Sequence, residues 1–312
     1  MKKLFFLLFI LTSTLAYGHG AANFEESDML KTMKAADKAA ILMVHFGTTK
    51  AEAKQRSIET LNERVKQTFP TIEVQEAWTS RIVINALKKK GETKLNPTEA
   101  LEKLKAEGFT HIIVQATTII EGVEMEALRR EVRRVEADFK DIRVGHPLLY
   151  TPEDYKKVIK ALVKEQKPNE ASVLVGHGTY DPATAQYVML DYMLKAEGHP
   201  NYFVSTIEGY PSFADTEKQL KGNTIKDVLL VPFMFVAGKH AEDDIEGILK
   251  ELLKQKGYNV SVSTKGLGES KEIQDIFIQH IRFAFKHKML DIMDKKQKYA
   301  KGEKGHHHHH HH

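Results

Sequence analysis

Two histidines and a glutamate in the second half of the chain, His177, Glu208 and His240, are residue types that bind a divalent transition metal. Two imidazoles and one carboxylate suit a borderline ion such as Co2+, Ni2+, Fe2+ or Zn2+, and leave coordination positions open for water or a substrate. His177 stands between glycines in Gly176-His177-Gly178-Thr179, where the missing side chains let a ligand approach the main chain. His240 closes Ala237-Gly238-Lys239-His240, at the predicted start of a helix. The three lie 31 and 32 residues apart, with no compact His-x-x-x-His spacing, so only the fold can bring them together. Taken singly, each histidine reads as an ordinary loop residue.

The elements that must position them follow from hydropathy. Apolar runs rich in Val and Ile occupy 40–46, 72–78, 111–117, 142–149, 172–177, 202–207, 227–235 and 258–263. They are mostly apolar rather than alternating, as strands buried on both faces are. Helical patterns lie between them, several with start signals: Thr151-Pro152-Glu153-Asp154 and Asn96-Pro97-Thr98-Glu99 each place an N-cap, an N1 proline and first-turn acids in order. A long helix is predicted over 271–296. Strict alternation of strand and helix predicts an α/β protein with right-handed crossovers. Two similar Rossmann-like lobes, each a four-stranded parallel sheet flanked by helices, fit the chain best.

The halves also echo one another. Ile41-Leu42-Met43-Val44-His45-Phe46-Gly47-Thr48 matches Val173-Leu174-Val175-Gly176-His177-Gly178-Thr179, and Glu76-Ala77-Trp78-Thr79-Ser80 matches Glu208-Gly209-Tyr210-Pro211-Ser212. Glu124 echoes His240 with one residue of slip. Three matches in one order argue for a duplicated α/β unit, and the matching residues fall at strand C-termini, where such folds bind ligands. The expected organisation is a signal peptide over 1–18, a polar lead-in over 19–38, an N-terminal lobe over 39–150 and a C-terminal lobe over 151–298. That second lobe would hold the metal site and the long final helix, with 299–312 a tail ending in a heptahistidine tag.

Composition narrows the function. Charged residues are 28% and hydrophobic ones 42%, which excludes a disordered or low-complexity chain. The net charge of +4, with no dense Lys/Arg stripe, argues against nucleic acid as a partner. The absence of cysteine excludes disulfides, thiolate metal sites and a cysteine nucleophile. Met1-Lys2-Lys3, an apolar run from Leu4 to Leu11 and the close Ala16-Tyr17-Gly18 form an export signal cut after Gly18. That run is far short of the ~20 residues a membrane span requires. A periplasmic or otherwise exported protein without a membrane span is expected.

On these motifs the chain resembles the anaerobic-pathway sirohydrochlorin cobalt chelatases, class II tetrapyrrole chelatases related in fold to ferrochelatase. The resemblance rests on Gly176-His177-Gly178, Glu208-Gly209-Tyr210-Pro211 and the stretch from Pro232 to Ala241. It continues through Ala77 to Arg81, Gln115 to Glu124, Gly145 to Leu149 and Gly266 to Glu269, and so covers nearly all of 40–290. It implies insertion of Co2+ into sirohydrochlorin without nucleotide hydrolysis, with His177, Glu208 and His240 as metal ligands and catalytic residues. The ring's carboxylates would need a rim of hydroxyl and basic groups, for which Thr79, Ser80, Arg81 and Lys239 are candidates. Trp78 and Tyr210 are candidates to stack on the macrocycle, with packing in the core as the plainer role for both.

Two positions depart from the family pattern. His45 stands where Ser is usual, and Thr118 where His is usual. By the internal echo, His45 with Glu76 or Glu124 would supply a second metal ligand or an axial ligand to the tetrapyrrole. The competing reading is a hydrogen-bonded histidine at a strand end. Fe2+, Ni2+ or Zn2+ in place of Co2+, haem as the bound ring, and a homo-oligomer are all compatible with the sequence. So are two other uses of the fold, a non-catalytic tetrapyrrole or metal carrier and a haem dechelatase, because an exported protein must meet its ring outside the cytoplasm.

Overall fold

Residues 40–44 are all buried, and alternate residues serve different cores: Ile41 and Met43 face one side of their sheet, Ala40, Leu42 and Val44 the other. That two-sided burial is what an uninterrupted apolar run is for. The computed structural model describes residues 23–302, with His240 as backbone only. The proposed export signal and the tag lie outside the described residues.

The strands are β1 (Phe24–Glu26), β2 (Ala39–His45), β3 (Glu73–Trp78), β4 (His111–Ala116), β5 (Asp141–Val144), β6 (Glu170–Gly178), β7 (Tyr202–Glu208), β8 (Asp227–Pro232), β9 (Asn259–Val262) and β10 (His287–Met289). Two parallel four-stranded sheets have the same winding, β3-β2-β4-β5 and β7-β6-β8-β9. The same strand order in both sheets is the structural counterpart of the internal sequence echo. Helices cross over between the strands, and their predicted starts are built as caps. Asn96 and Thr151 each accept a hydrogen bond from the backbone three residues on, Glu99 and Asp154 answer them, and a proline follows each cap.

The sheets share a core. Ile41, Met43 and Ile113 from the first sheet join Leu174, Tyr202 and Val204 from the second and Ile273, Phe277, Ile281 and Phe285 from the helix Lys271–Lys286. Each sheet keeps its own smaller core on its outer face. The final helix therefore does not pack as a part of the second lobe alone: Arg64 of the first lobe binds Asp275, and His280 binds Asp154 at 3.0 Å and the carbonyl of His146 at 3.1 Å.

That helix also ends earlier than periodicity predicts. His287–Met289 leaves it as β10 and pairs antiparallel with β1, and a separate helix, Ile292–Ala300, follows. The buried Arg143 makes the break. Its guanidinium donates to the carbonyls of Ala284 and Phe285 and to that of Ser27, while Asp141 accepts from its other edge. The terminal carbonyls of the helix are thereby satisfied, and strand pairing overrides helical propensity for the next residues. No helix among the described residues is long and apolar enough to cross a membrane.

Candidate active site

Parallel strands deliver their C-terminal residues to one edge. β6 and β7 run in register to Gly178 opposite Glu208, so His177 and Glu208 leave neighbouring strands together. The His177 Nε2 and Glu208 Oε2 atoms stand 3.5 Å apart, with the two side chains 65% and 47% exposed. Donors of a tetrahedral site with bonds of 2.0–2.2 Å are separated by about 3.4 Å, so this pair is spaced to share one ion. The flanking glycines make the approach feasible. Gly178 has φ +82°, and a Cβ there would fall 1.8 Å from the Glu208 carbonyl oxygen. Gly209 has φ +117°, and a Cβ there would fall 2.3 Å from the Thr179 carbonyl oxygen.

His240 belongs to the helix Lys239–Glu242 by its backbone, and its side chain lies outside the described residues. Among the described residues no three metal-binding side chains converge. The loop leading to that helix is stitched to both neighbours: Phe233 N–H donates to the Val175 carbonyl of β6, and Gly268 N–H donates to that of Phe235.

The two lobes touch on either side of this edge. Lys50 pairs with Glu242, and Arg56 with Glu269 at 3.1 Å. Elsewhere Glu121 N–H donates to Gln186 Oε1 at 3.1 Å. Between such contacts lie a cavity of about 400 Å³, bordered by Lys50 and Ser57 on one wall and Val236, Ala237 and Glu242 on the other, and a second of about 310 Å³ between Gly122 and Asp181.

Of the two readings of His45, the structure has the hydrogen-bonded histidine at a strand end and not the second metal or axial ligand. It is 1% exposed, with Nδ1 2.9 Å from Thr117 Oγ1 and Nε2 2.9 Å from Asn62 Oδ1. Asn62 Nδ2 donates to Glu76, so its Oδ1 is the acceptor toward His45. Nε2 therefore carries the ring proton, and Nδ1 accepts from the Thr117 hydroxyl. Burial lowers the His45 pKa and keeps the ring neutral. Both nitrogens are engaged, and the ring stacks on Phe235 of the opposite lobe, 5.7 Å between centroids. Glu76 is also committed, to Lys94 at 2.8 Å and to Asn62. Burial alone would raise its pKa, but Lys94, His45 and Asn62 together bring the carboxyl below its ordinary value. Glu124 sits exposed in the first turn of the helix Val123–Val135 and joins neither.

Of the expected rim residues, Trp78 is fully buried beneath Gly47, so it packs in the core and cannot stack on a ring. Strand side chains alternate between faces, and this one points inward. The Ser80 hydroxyl is spent as an N-cap accepting from Val83 N–H. Thr79 is half-buried, and Arg81 folds over its carbonyl to reach Glu131 at 2.9 Å. Tyr210 and Lys239 are exposed. Thr118 donates to Met125 Sδ at 3.0 Å and faces no described metal-binding group.

Sequence reading passed over a set of exposed apolar residues in the segments that follow strands. Phe46 comes directly after β2 and Tyr180 two residues after β6, while Ile82 and Val123 lie in the first turns of the helices that follow β3 and β4. The available signal was a large apolar side chain placed after a strand rather than within it. Like Tyr210, they are large apolar side chains left open to solvent.

Twin parallel α/β lobes on a shared core thus carry an imidazole–carboxylate pair at a strand edge. The sequence matches the cobalt chelatase (CbiK) family across residues 39–286, and the chain belongs to that family. The sirohydrochlorin cobaltochelatase of Salmonella typhimurium is 31% identical over 256 residues, covering 79% of this chain and 96% of the relative. Sirohydrochlorin cobaltochelatase CbiKC of Nitratidesulfovibrio vulgaris is 30% identical over 260 residues, covering 79% and 90%. Among solved structures, SirB from Bacillus subtilis with Fe3+ has a TM-score of 0.59 at 19% identity, over 79% of this chain and 95% of that one. A sirohydrochlorin chelatase SirB from Bacillus subtilis subspecies spizizenii in complex with cobalt has a TM-score of 0.55 at 17% identity, with the same coverage. These two likenesses concern the fold.

Proposed function

We propose that the protein inserts Co2+ into sirohydrochlorin, with His177, Glu208 and His240 holding the metal on its way to the ring. The observation that carries this reading is the His177–Glu208 pair, 3.5 Å apart and open to solvent at the edge between the lobes. The incoming ion must shed water, and neutral imidazoles with one carboxylate can replace that water and offset part of the ion's charge. The ring must lose two pyrrole N–H protons as one Co2+ enters, which keeps the total charge constant. As the ion passes from them to the ring, Glu208 and His177 would be freed to accept those protons. Apolar side chains beyond the strand ends would seat the ring face, and rigid lobes would hold it against the ion.

Fe2+ and Ni2+ are proposed as competing substrates, since the same donor set accepts them. Export is proposed from the charged, apolar and small-residue sequence of 1–18, and mass determination of the secreted protein should give an N-terminus at His19. The central test uses tag-free protein, because a heptahistidine tag binds these ions itself. Metal-free sirohydrochlorin and Co2+ are incubated with catalytic amounts of protein, and the absorption spectrum is followed. Metallation well beyond one equivalent is expected, and arrest at a single equivalent would show a carrier instead.

A further inference from the structure

The helix Val123–Val135 leaves the strand edge and carries arginines at 129, 130 and 133 along one stripe, at the three- and four-residue spacing of a single helix face. They border the cavity of about 310 Å³ whose other wall is Asp181, four residues beyond His177. Their charges are unequally spent. Arg129 grips Glu121 through Nε at 2.8 Å and Nη2 at 3.2 Å and is largely buried. Arg130 gives one N–H to Glu126 at 2.6 Å and remains 67% exposed. Arg133 is exposed and has no hydrogen bond or ion pair among the described residues. The third acid, Asp181, accepts from Ala183 N–H and so caps its own loop.

A guanidinium presents five donors in a fixed plane. Arg130 and Arg133 therefore hold most of their donors free on one side of a cavity open between the lobes. Arg129 and Glu121 also line it, and the Glu121 backbone is tied across the gap to Gln186 in both directions. Planar, two-pronged recognition of carboxylate is the chemistry this arrangement suits.

We propose that Arg130 and Arg133, braced by the Arg129–Glu121 pair, form a clamp for the peripheral carboxylates of the tetrapyrrole. This rests on the tetrapyrrole reading above and adds how the ring's edge is recognised. The clamp selects polycarboxylate rings over rings with few acidic side chains. It also sets the rotation of the ring relative to His177.

The test is a fluorescence titration of tag-free protein with two metal-free probes, the polycarboxylate uroporphyrin and the dicarboxylate deuteroporphyrin. In the R130Q/R133Q double variant, uroporphyrin affinity should fall on the order of tenfold, while deuteroporphyrin affinity stays within about twofold. Both substitutions are on an exposed helix face, and R134Q on the same helix, outside the cavity, should leave both affinities in place. KM for sirohydrochlorin should rise with the loss of affinity. Unchanged uroporphyrin affinity in the double variant, or an equal loss in R134Q, would overturn the clamp. Normal cobalt insertion alongside that result would leave the proposed function standing. Arginine-dependent binding of uroporphyrin by a protein that inserts no Co2+ would support the clamp and remove the chelatase reading instead.

Discussion

His45 and His177 occupy matching places in the two halves, yet one is sealed and the other open. The difference lies in their neighbours. His45 meets Asn62 and Thr117, whereas His177 is flanked by glycines, is exposed and stands 3.5 Å from Glu208. Replacing His45 with Ala should cost about 1–3 kcal/mol by stranding Asn62 and Thr117, and should leave the number of Co2+ ions bound unchanged. Equilibrium unfolding and metal titration of the tag-free variant check both outcomes. His146 gives a pH-dependent counterpart. Burial, helped by the nearby His280, lowers its pKa from 6.5 to about 3, and its Nε2 has no hydrogen-bond partner. Because the folded value is depressed, the unfolded chain binds the extra proton, and stability falls as pH drops from about 6.5 toward 3. A His146→Phe variant keeps the stacking on Tyr150 and should lose less Tm between pH 7 and 5 than the parent protein. An identical loss would contradict this. The sequence made His177 and Glu208 legible because glycines and strand ends mark them locally. It did not reveal that Asn62, on a helix 17 residues away, closes off His45, or which way Trp78 faces, since a shift of one residue along a strand reverses that direction.

At the scale of elements, the least legible feature was the C-terminus. A periodic apolar pattern continues past Lys286, but Arg143 and β1 decide where the helix stops, and both come from the other end of the chain. Replacing Arg143 with Met would leave two helix carbonyls, the Ser27 carbonyl and the Asp141 carboxylate without their buried partner. A loss of about 3–5 kcal/mol is expected, read as a lower denaturant midpoint with an unchanged slope. A shift under 1 kcal/mol would show the guanidinium to be dispensable. The central strands, by contrast, were legible almost to their ends because burial on both faces leaves a nearly unbroken apolar run, as in β2 and β4. Two strands were overestimated: β5 ends at Val144 rather than 149, and β8 ends at Pro232, after which Phe233 to Phe235 turn away to meet β6 and Gly268. That turn leads the chain toward His240.

On the scale of the whole molecule, two sheets with their own outer cores still share an inner one, into which the final helix inserts. Calorimetry should therefore record one cooperative transition, and residues 39–150 alone should not fold, because they lack the helix Lys271–Lys286 that covers their sheet. Two separated transitions would contradict a shared core. The paired-lobe plan could be read from the repeated motifs, but the shared core could not, because its contacts join residues far apart in sequence. Under the proposed function, this frame would let the exposed imidazole–carboxylate pair present an ion to a ring at a fixed place. The most direct measurement is anomalous diffraction at the cobalt edge from tag-free crystals soaked in Co2+. A single cobalt within bonding distance of His177 Nε2 and Glu208 Oε2, with the His240 imidazole completing its ligands, is the predicted result. Cobalt bound elsewhere, with the strand edge between the lobes empty, would contradict the account.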